Sequence, residues 1–381
     1  MKYTIRYIYM AVLSISALLS SCQKWNEVEP WAPIELQGSF HSDEYYNRLL
    51  EYKKSPHQVY FTWFSEWTGT GSLRNCMRGL PDSVDIVSMW GGWINPGEAR
   101  LNDLRFAQQK KGIKALVCFI THDIGAQLTP ASAYEGHENM TPEEESKLRK
   151  EFWGWSDTDE SLALKATEKY ANALCDTIDK YHYDGFDMDY EPSYAQPFHD
   201  EQSLVKMFGG SPIRHFVATV AKRIGPRSGT GKLFLIDGEP ELMPDTLANC
   251  FDYYLSQAYG CSTYSDLDYR LRKILDRFEK SMNVDGTPMT PEQIAAKYIC
   301  TENYESYGLK GGVPHVTRDG KRVKSLVGMA MWNPIINGKE VRKGGCGTFR
   351  VGFEYRIEGT PADLTYPSTR EAIRIMNPVI E

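Results

Sequence analysis

Short apolar runs recur along the chain at 59–63, 84–89, 114–120, 183–188, 232–236, 252–257, 297–301 and 325–331. Several are apolar at nearly every position instead of alternating, which is the pattern of strands buried on both faces of a parallel sheet. Between some of them the period lengthens to that of a helix. Across 162–181, Leu162, Ala166, Tyr170, Ala173, Ile178 and Tyr181 recur at roughly helical spacing. The segments 213–224 and 264–278 follow similar patterns, with Lys and Arg on the exposed side. A closing helix is predicted over 368–376, with Ser368 as its N-cap and Glu371 three residues on. Eight strands alternating with helices predict one (β/α)8 TIM barrel. The rival, a doubly wound open sheet, calls for a glycine-rich phosphate turn after its first strand, and 61–70 holds none. Two connections exceed ordinary loop length, 121–160 and 303–324. Both are predicted on the C-terminal face, where long loops build substrate sites, and Gly308, Gly311 and Gly312 suit the second to a mobile rim.

The N-terminus reads differently. Lys2 and Arg6 precede an apolar run over 8–19 that is too short to span a bilayer. Leu19-Ser20-Ser21-Cys22 resembles a bacterial lipoprotein box, in which the cysteine is acylated; a secretory signal with an incidental cysteine is the competing reading. The resemblance implies a signal over 1–21, a lipid anchor at Cys22 and a polar tether to residue 45 containing Pro30 and Pro33. The barrel then occupies 46–381. No later stretch approaches the ~20 apolar residues of a membrane helix, so the membrane is contacted only through Cys22. The expected location is the outer membrane or cell surface of a Gram-negative bacterium, with Glu27 and Glu29 as a faint sign of surface export, and the expected state is a monomer.

Composition removes several classes of function. A net charge of −7 without a basic block argues against nucleic acid as a partner. A hydrophobic content of 41% rules out wholesale disorder. The 23 Tyr and 9 Trp bring rings with polar tips, which suit sugar-binding surfaces and ordinary cores alike. Setting Cys22 aside leaves an odd number of cysteines with no C-x-x-C pair. Cys118 and Cys300 lie in apolar runs and read as buried thiols, while Cys250 and Cys261 flank one predicted strand, and their pairing stays open. The histidines show no H-x-H or H-E-x-x-H spacing, so neither a zinc site nor another cofactor is expected.

The most informative segment is Tyr183-Asp184-Gly185-Phe186-Asp187-Met188-Asp189-Tyr190-Glu191-Pro192. Alternation along a strand puts Asp187, Asp189 and Glu191 on one face at steps of about 6.6 Å, and Phe186, Met188 and Tyr190 on the other. In a barrel the acids climb the interior with Glu191 at the mouth, and Pro192 ends the pairing. Three inward carboxylates this close share at least one proton, which allows Glu191 to act as a general acid near neutrality. The competing readings are a cation site or a solvated face. A calcium site draws its oxygens from a loop, and here the acids alternate with Phe, Met and Tyr.

D-G-F-D-M-D-Y-E resembles the D-G-x-D-x-D-x-E signature of glycoside hydrolase family 18, found at the end of the fourth barrel strand. The resemblance implies retaining hydrolysis in which the sugar's own 2-acetamido group is the nucleophile, with no metal or cofactor. On this chain it makes Glu191 the acid and base, Asp189 the group that orients the acetamido, and Asp187 the partner that exchanges a proton with Asp189. Ser256-Gln257-Ala258-Tyr259-Gly260 is similar to the Gln-x-Tyr pattern of the family's endo-β-N-acetylglucosaminidases, where chitinases carry Met-x-Tyr-Asp. Gln257 and Tyr259 are therefore expected to bind the substrate. Met329-Ala330-Met331-Trp332-Asn333 matches the family's tryptophan floor if 325–331 is the eighth strand, which makes Trp332 a third binding residue. Asp237, Glu239, Glu302, Asn303, His122, Asp123, Trp63, Trp67, Trp90 and Trp93 stand near predicted strand ends as weaker candidates, none assigned a catalytic role.

The expected function is an endo-β-N-acetylglucosaminidase acting on N-glycans or glycoproteins. A chitinase-like hydrolase of GlcNAc oligomers and a non-catalytic glycan-binding protein are the alternatives. The chain lacks a recognisable insertion domain between strands seven and eight, which weakens the case for long chitin chains.

Overall fold

The computed structural model describes residues 41–194, 202–361 and 364–378. The signal segment, Cys22 and the tether up to residue 40 lie outside the described residues. Eight parallel strands close into a barrel: β1 (Val59–Phe64), β2 (Ile86–Trp90), β3 (Lys114–Ile120), β4 (Gly185–Tyr190), β5 (Leu233–Gly238), β6 (Tyr253–Gln257), β7 (Tyr298–Asn303) and β8 (Gly345–Phe349). Each neighbours the next in sequence, and β8 pairs with both β7 and β1. The barrel expected from the apolar runs is the architecture found. Seven of the eight runs are barrel strands, with small shifts at their ends.

The eighth is a correction. Residues Ser325–Met331 form an α-helix, and the closing strand is Gly345–Phe349. An apolar run of seven residues carries no period that separates strand from buried helix. The true strand, Gly-Cys-Gly-Thr-Phe, shows little apolar signal because two of its five residues are glycines that lie too close to β1 to carry a side chain. A Cβ on Gly345 would overlap the Val59 carbonyl, and one on Gly347 the Phe61 carbonyl. The helix has its own close approach, since a Cβ on Gly328 would enter the buried His315 ring.

Strand alternation separates two cores. Val59, Phe61, Trp63, Ile86, Leu116, Cys118, Leu235, Leu255 and Ile299 fill the barrel interior. The other faces pack against the helices: Phe186 meets Phe119, Phe216 and Phe234. The surrounding helices are α1 (Asp43–Lys54), α2 (Glu98–Lys111), α3 (Pro142–Trp153), α4 (Glu160–Tyr181), α5 (Ser211–Val220), α6 (Tyr264–Arg277), α7 (Pro291–Ala296), α8 (Ser325–Met331) and α9 (Pro367–Met376), alongside shorter turns.

Capping residues set several of these boundaries. Ser42 caps α1, so residues 43–45, assigned above to the tether, are its first turn. The long connection after β3 contains α3, opened by a Thr141/Glu144 capping box. The connection after β7 contains a short hairpin pairing Pro314–Val316 with Arg322–Lys324. The closing helix begins one residue earlier than expected and is not capped by Ser368. The buried Glu354 carboxylate accepts from the Ser368 and Thr369 amides instead, so a residue distant in sequence does the capping. All seven cysteines among the described residues are buried free thiols, including Cys250 and Cys261. No helix among the described residues is long and apolar enough to cross a membrane.

Candidate active site

β4 delivers the acids as alternation requires. Asp187 and Asp189 are buried inside the barrel and Glu191 is half-buried at its mouth. A fourth carboxylate joins them. β5 pairs with β4 so that Asp237 stands beside Asp189, and Asp237 is fully buried. Oxygens of Asp189, Glu191 and Asp237 all lie within 4.8 Å of one another. Below them, Cys118, Asp187 and Asp237 present a second set of ligand-type atoms at the same spacing. Clusters this tight could hold a cation, but a shared proton answers the same need for neutrality. Burial, then repulsion from Glu191 and Asp187, pushes the Asp189 carboxyl well above the usual range. Burial followed by Asp189 and Asp187 does the same to Asp237. Burial lifts Asp187 to about 6, against a 2.6 Å hydrogen bond donated by the Ser88 hydroxyl. These acids titrate as one coupled group.

The main chain beneath Glu191 is held from both sides. The Thr121 amide donates to the Asp189 carbonyl at 2.9 Å, and the Glu239 amide to the Tyr190 carbonyl at 2.8 Å. The Glu191 amide donates to His122 Nε2 at 3.0 Å. That nitrogen must be bare to accept, so His122 carries a proton on Nδ1. Glu239 accepts from the Ser193 amide at 2.7 Å. Gly238, at φ +85, lets β5 pass here: a Cβ would come within 2.6 Å of Glu191 Cγ. His122 and Glu239 therefore fix the end of the acid strand.

Gln257 and Tyr259 converge on the same cluster. Gln257 Nε2 donates to Asp237 Oδ1 at 2.9 Å, which leaves the amide oxygen to accept from a ligand. Burial, then the charges of Asp237, Asp189 and Glu191, holds the Tyr259 phenol well above its ordinary range, so it remains a donor facing the acids. The Phe349 ring at the end of β8 lies 6.0 Å from Tyr259, 5.9 Å from Trp63 and 5.8 Å from Trp90. This aromatic group floors the mouth on the β8–β1–β2 side.

Trp332 does not take part in that floor. It follows α8, outside the barrel, fully buried against Tyr298, and its indole donates to Asp268 at 2.9 Å. Phe349 occupies the strand end that Trp332 was expected to hold.

Other weak candidates are structural. The Trp67 indole donates to buried Asp103, and that of Trp93 to the Cys118 carbonyl. Glu302 accepts from the Gly260 and Asn303 amides and from Ser325, tying β7 to the turn after Tyr259. Asn303 caps the following turn through the Ser306 amide. Asp123 is buried next to His122. Asp237, a weaker candidate in the sequence with no catalytic role, is turned inward by the alternation Leu233, Leu235, Asp237.

A parallel barrel with a carboxylate cluster, an amide and a phenol at its C-terminal mouth defines a glycoside hydrolase of the TIM-barrel type. The family model for glycoside hydrolase family 18, BT1044-like, matches residues 27–375, and the chain belongs to that family. Endo-β-N-acetylglucosaminidase F2 of Elizabethkingia meningoseptica is 28% identical over 230 residues, which are 57% of this chain and 55% of that protein. The chain thus spans about half the length of that relative. A solved structure of BT1044, in a glutamate-to-glutamine variant, superposes with a TM-score of 0.68 at 28% identity, covering 88% of this chain and 93% of the other. An endo-β-N-acetylglucosaminidase from Cordyceps militaris shares the fold, with a TM-score of 0.54 at 21% identity over 89% of this chain and 98% of its own.

Proposed function

We propose that this hydrolase is a retaining endo-β-N-acetylglucosaminidase that cleaves the GlcNAc-β-1,4-GlcNAc bond in the core of N-glycans. The observation that carries this reading is the convergence of Asp189, Glu191 and Asp237 with Gln257 and Tyr259 at one mouth. In the first step Glu191 gives its proton to the glycosidic oxygen as that oxygen leaves. The acetamido carbonyl oxygen of the same sugar attacks the anomeric carbon, forming an oxazolinium-like ring. Asp189 accepts from the acetamido N–H and balances the developing positive charge, while Tyr259 orients the carbonyl. The resulting Glu191 carboxylate then takes a proton from water, whose oxygen opens the ring from the vacated face. Two inversions give net retention. Asp187 and Asp237 keep a proton in the cluster while the charge on Asp189 changes.

The test is incubation with N-glycoproteins of high-mannose, hybrid and complex type, read by mass spectrometry. A single GlcNAc left on asparagine is the expected product. Failure to release any of the three classes sinks the proposal, and turnover of chitooligosaccharides alone transfers the same chemistry to that substrate. Glu191→Gln is expected to cut kcat by ~10²–10⁴, the usual worth of a positioned general acid, while substrate still binds.

A further inference from the structure

Tyr259 does not stand on a strand. β6 ends at Gln257, whose ladder partner is Thr301 of β7, and the chain then turns through residues 258–260. Where the phenol points is therefore decided by the peptide groups of that turn. One side closes locally: the Ala258 amide donates to the Ser256 carbonyl at 2.9 Å, and the Cys261 amide to the Ala258 carbonyl at 3.1 Å. The other side is held from another strand. The nitrogen of the Tyr259–Gly260 peptide belongs to Gly260, at φ +67, and donates to Glu302 Oε1 at 2.8 Å. With the planar peptides on both sides of the Tyr259 Cα fixed, tetrahedral geometry sets the direction in which its ring leaves the chain.

Glu302 is in turn braced by the connection that follows β7. It is fully buried, its Oε1 also accepts from the Asn303 amide at 2.7 Å, and its second oxygen accepts from the Ser325 hydroxyl. Ser325, at the start of α8, meets Val313 twice: its hydroxyl accepts from the Val313 amide at 2.9 Å, and its amide donates to the Val313 carbonyl at 2.8 Å. Residue 312 must be glycine for this approach, because a Cβ there would lie 1.9 Å from the Ser325 hydroxyl oxygen. The hairpin that begins at Pro314 then grips the far side of the turn. His315 Nδ1 donates to the Cys261 carbonyl at 2.9 Å, and the Val316 amide to the Ser262 carbonyl at 2.8 Å.

We infer that Glu302 is a positioning residue for Tyr259, and that Ser325 and the hairpin form the strut that keeps Glu302 in place. The inference rests on the role proposed above for the Tyr259 phenol, which orients the acetamido carbonyl as the oxazolinium-like ring forms. A phenol displaced by about 1 Å loses alignment in the transition state more than it loses binding in the ground state, so the effect falls on kcat.

The experiment is a double-mutant cycle on an N-glycopeptide that the unmutated protein cleaves. Glu302→Leu removes the anchor and is expected to lower kcat about tenfold, and Ser325→Ala, which only loosens it, about threefold, with KM within about twofold in both. In a Tyr259→Phe background each change is expected to alter kcat by less than about twofold, since the hydroxyl being positioned is already gone. Glu302→Gln keeps an oxygen that accepts from the Gly260 amide, and is expected to restore kcat to within about twofold of the unmutated value. Losses of the same size with and without the Tyr259 hydroxyl, or an effect confined to KM, overturn the assignment. If Glu302→Leu does not fold, the Ser325→Ala cycle decides alone. If the unmutated protein cleaves no glycan, it is the proposed function that has failed, and the positioning is read from the crystal structure of Ser325→Ala. A Tyr259 hydroxyl moved by about 1 Å or more supports it, and an unmoved ring overturns it.

Discussion

Asp237 is the residue whose chemistry depends most on its neighbours. Beside Asp189 and fully buried, with the Gln257 amide as its donor, it links the acid strand to β6. Replacing it by Asn removes one titrating carboxyl from the coupled group while its amide oxygen can still accept from Gln257. The expected outcome is a kcat loss of about tenfold or more. The alkaline limb of the pH–kcat/KM profile is expected to move to lower pH, because the remaining acids lose a repelling neighbour and release their protons more easily. A pH–rate measurement decides the matter: an unmoved limb removes Asp237 from the shared titration, whatever happens to kcat. The sequence made Asp187, Asp189 and Glu191 legible because they sit on one strand with fixed alternation. Alternation turned Asp237 inward as well, but only the β4–β5 register shows that the group it faces is a second carboxylate.

At the scale of elements, β8 and α8 show what decides whether an apolar run is a strand. Ser325–Met331 is apolar enough for a strand yet coils into a helix whose glycine makes room for His315. Gly345–Phe349 carries little pattern because two of its five positions are glycines, where β1 occupies the space a side chain would need. The other seven barrel strands have side chains on both faces and so were readable from hydrophobicity alone. The exchange of these two elements moves the expected sugar floor from Trp332 to Phe349, and the two assignments predict opposite results. Trp332→Phe loses the indole hydrogen bond to Asp268 and is expected to cost about 1 kcal/mol of stability, seen as a lower melting temperature with KM unchanged. Phe349→Ala opens the floor between Trp63, Trp90 and Tyr259 and is expected to raise KM several-fold on every substrate. A KM that responds to Trp332→Phe while ignoring Phe349→Ala would restore the floor to Trp332.

Across the whole molecule, the same burial that tunes the acids sets how stability depends on pH. Burial lifts Asp187 and Asp252 to about 6 and Glu354 to about 7, the last against hydrogen bonds from Thr369 and Ser368. Each of these carboxyls holds its proton more tightly folded than unfolded. Between their unfolded values and pH 7 the native state therefore binds more protons than the unfolded chain, and stability falls as pH rises. His57, raised because its hydrogen bond and charge pairing with Asp85 outweigh burial, acts in the same direction. His315, lowered by burial, opposes it. Asp85, where Lys53 and His57 overcome the cost of burial, is lowered and loses its contribution only below the ordinary carboxylate range, outside this window. The balance predicts a protein that melts at a higher temperature at pH 5 than at pH 7.5. Glu354 alone, moved from 4.5 to about 7, accounts for on the order of 3 kcal/mol, a sizeable part of the ~5–15 kcal/mol that holds a typical domain folded. Glu354→Gln keeps an oxygen acceptor for the α9 amides but has no proton to release, so it is expected to flatten the pH slope without altering the activity profile. Asp237→Asn is expected to raise the melting temperature at pH 7.5 while slowing turnover, because the proton-sharing that serves the reaction is bought with native-state stability. Calorimetric scans of the unmutated protein and both variants across pH 5–7.5 test all three statements. Stability that rises with pH in the unmutated protein would show that the buried carboxyls do not dominate the balance.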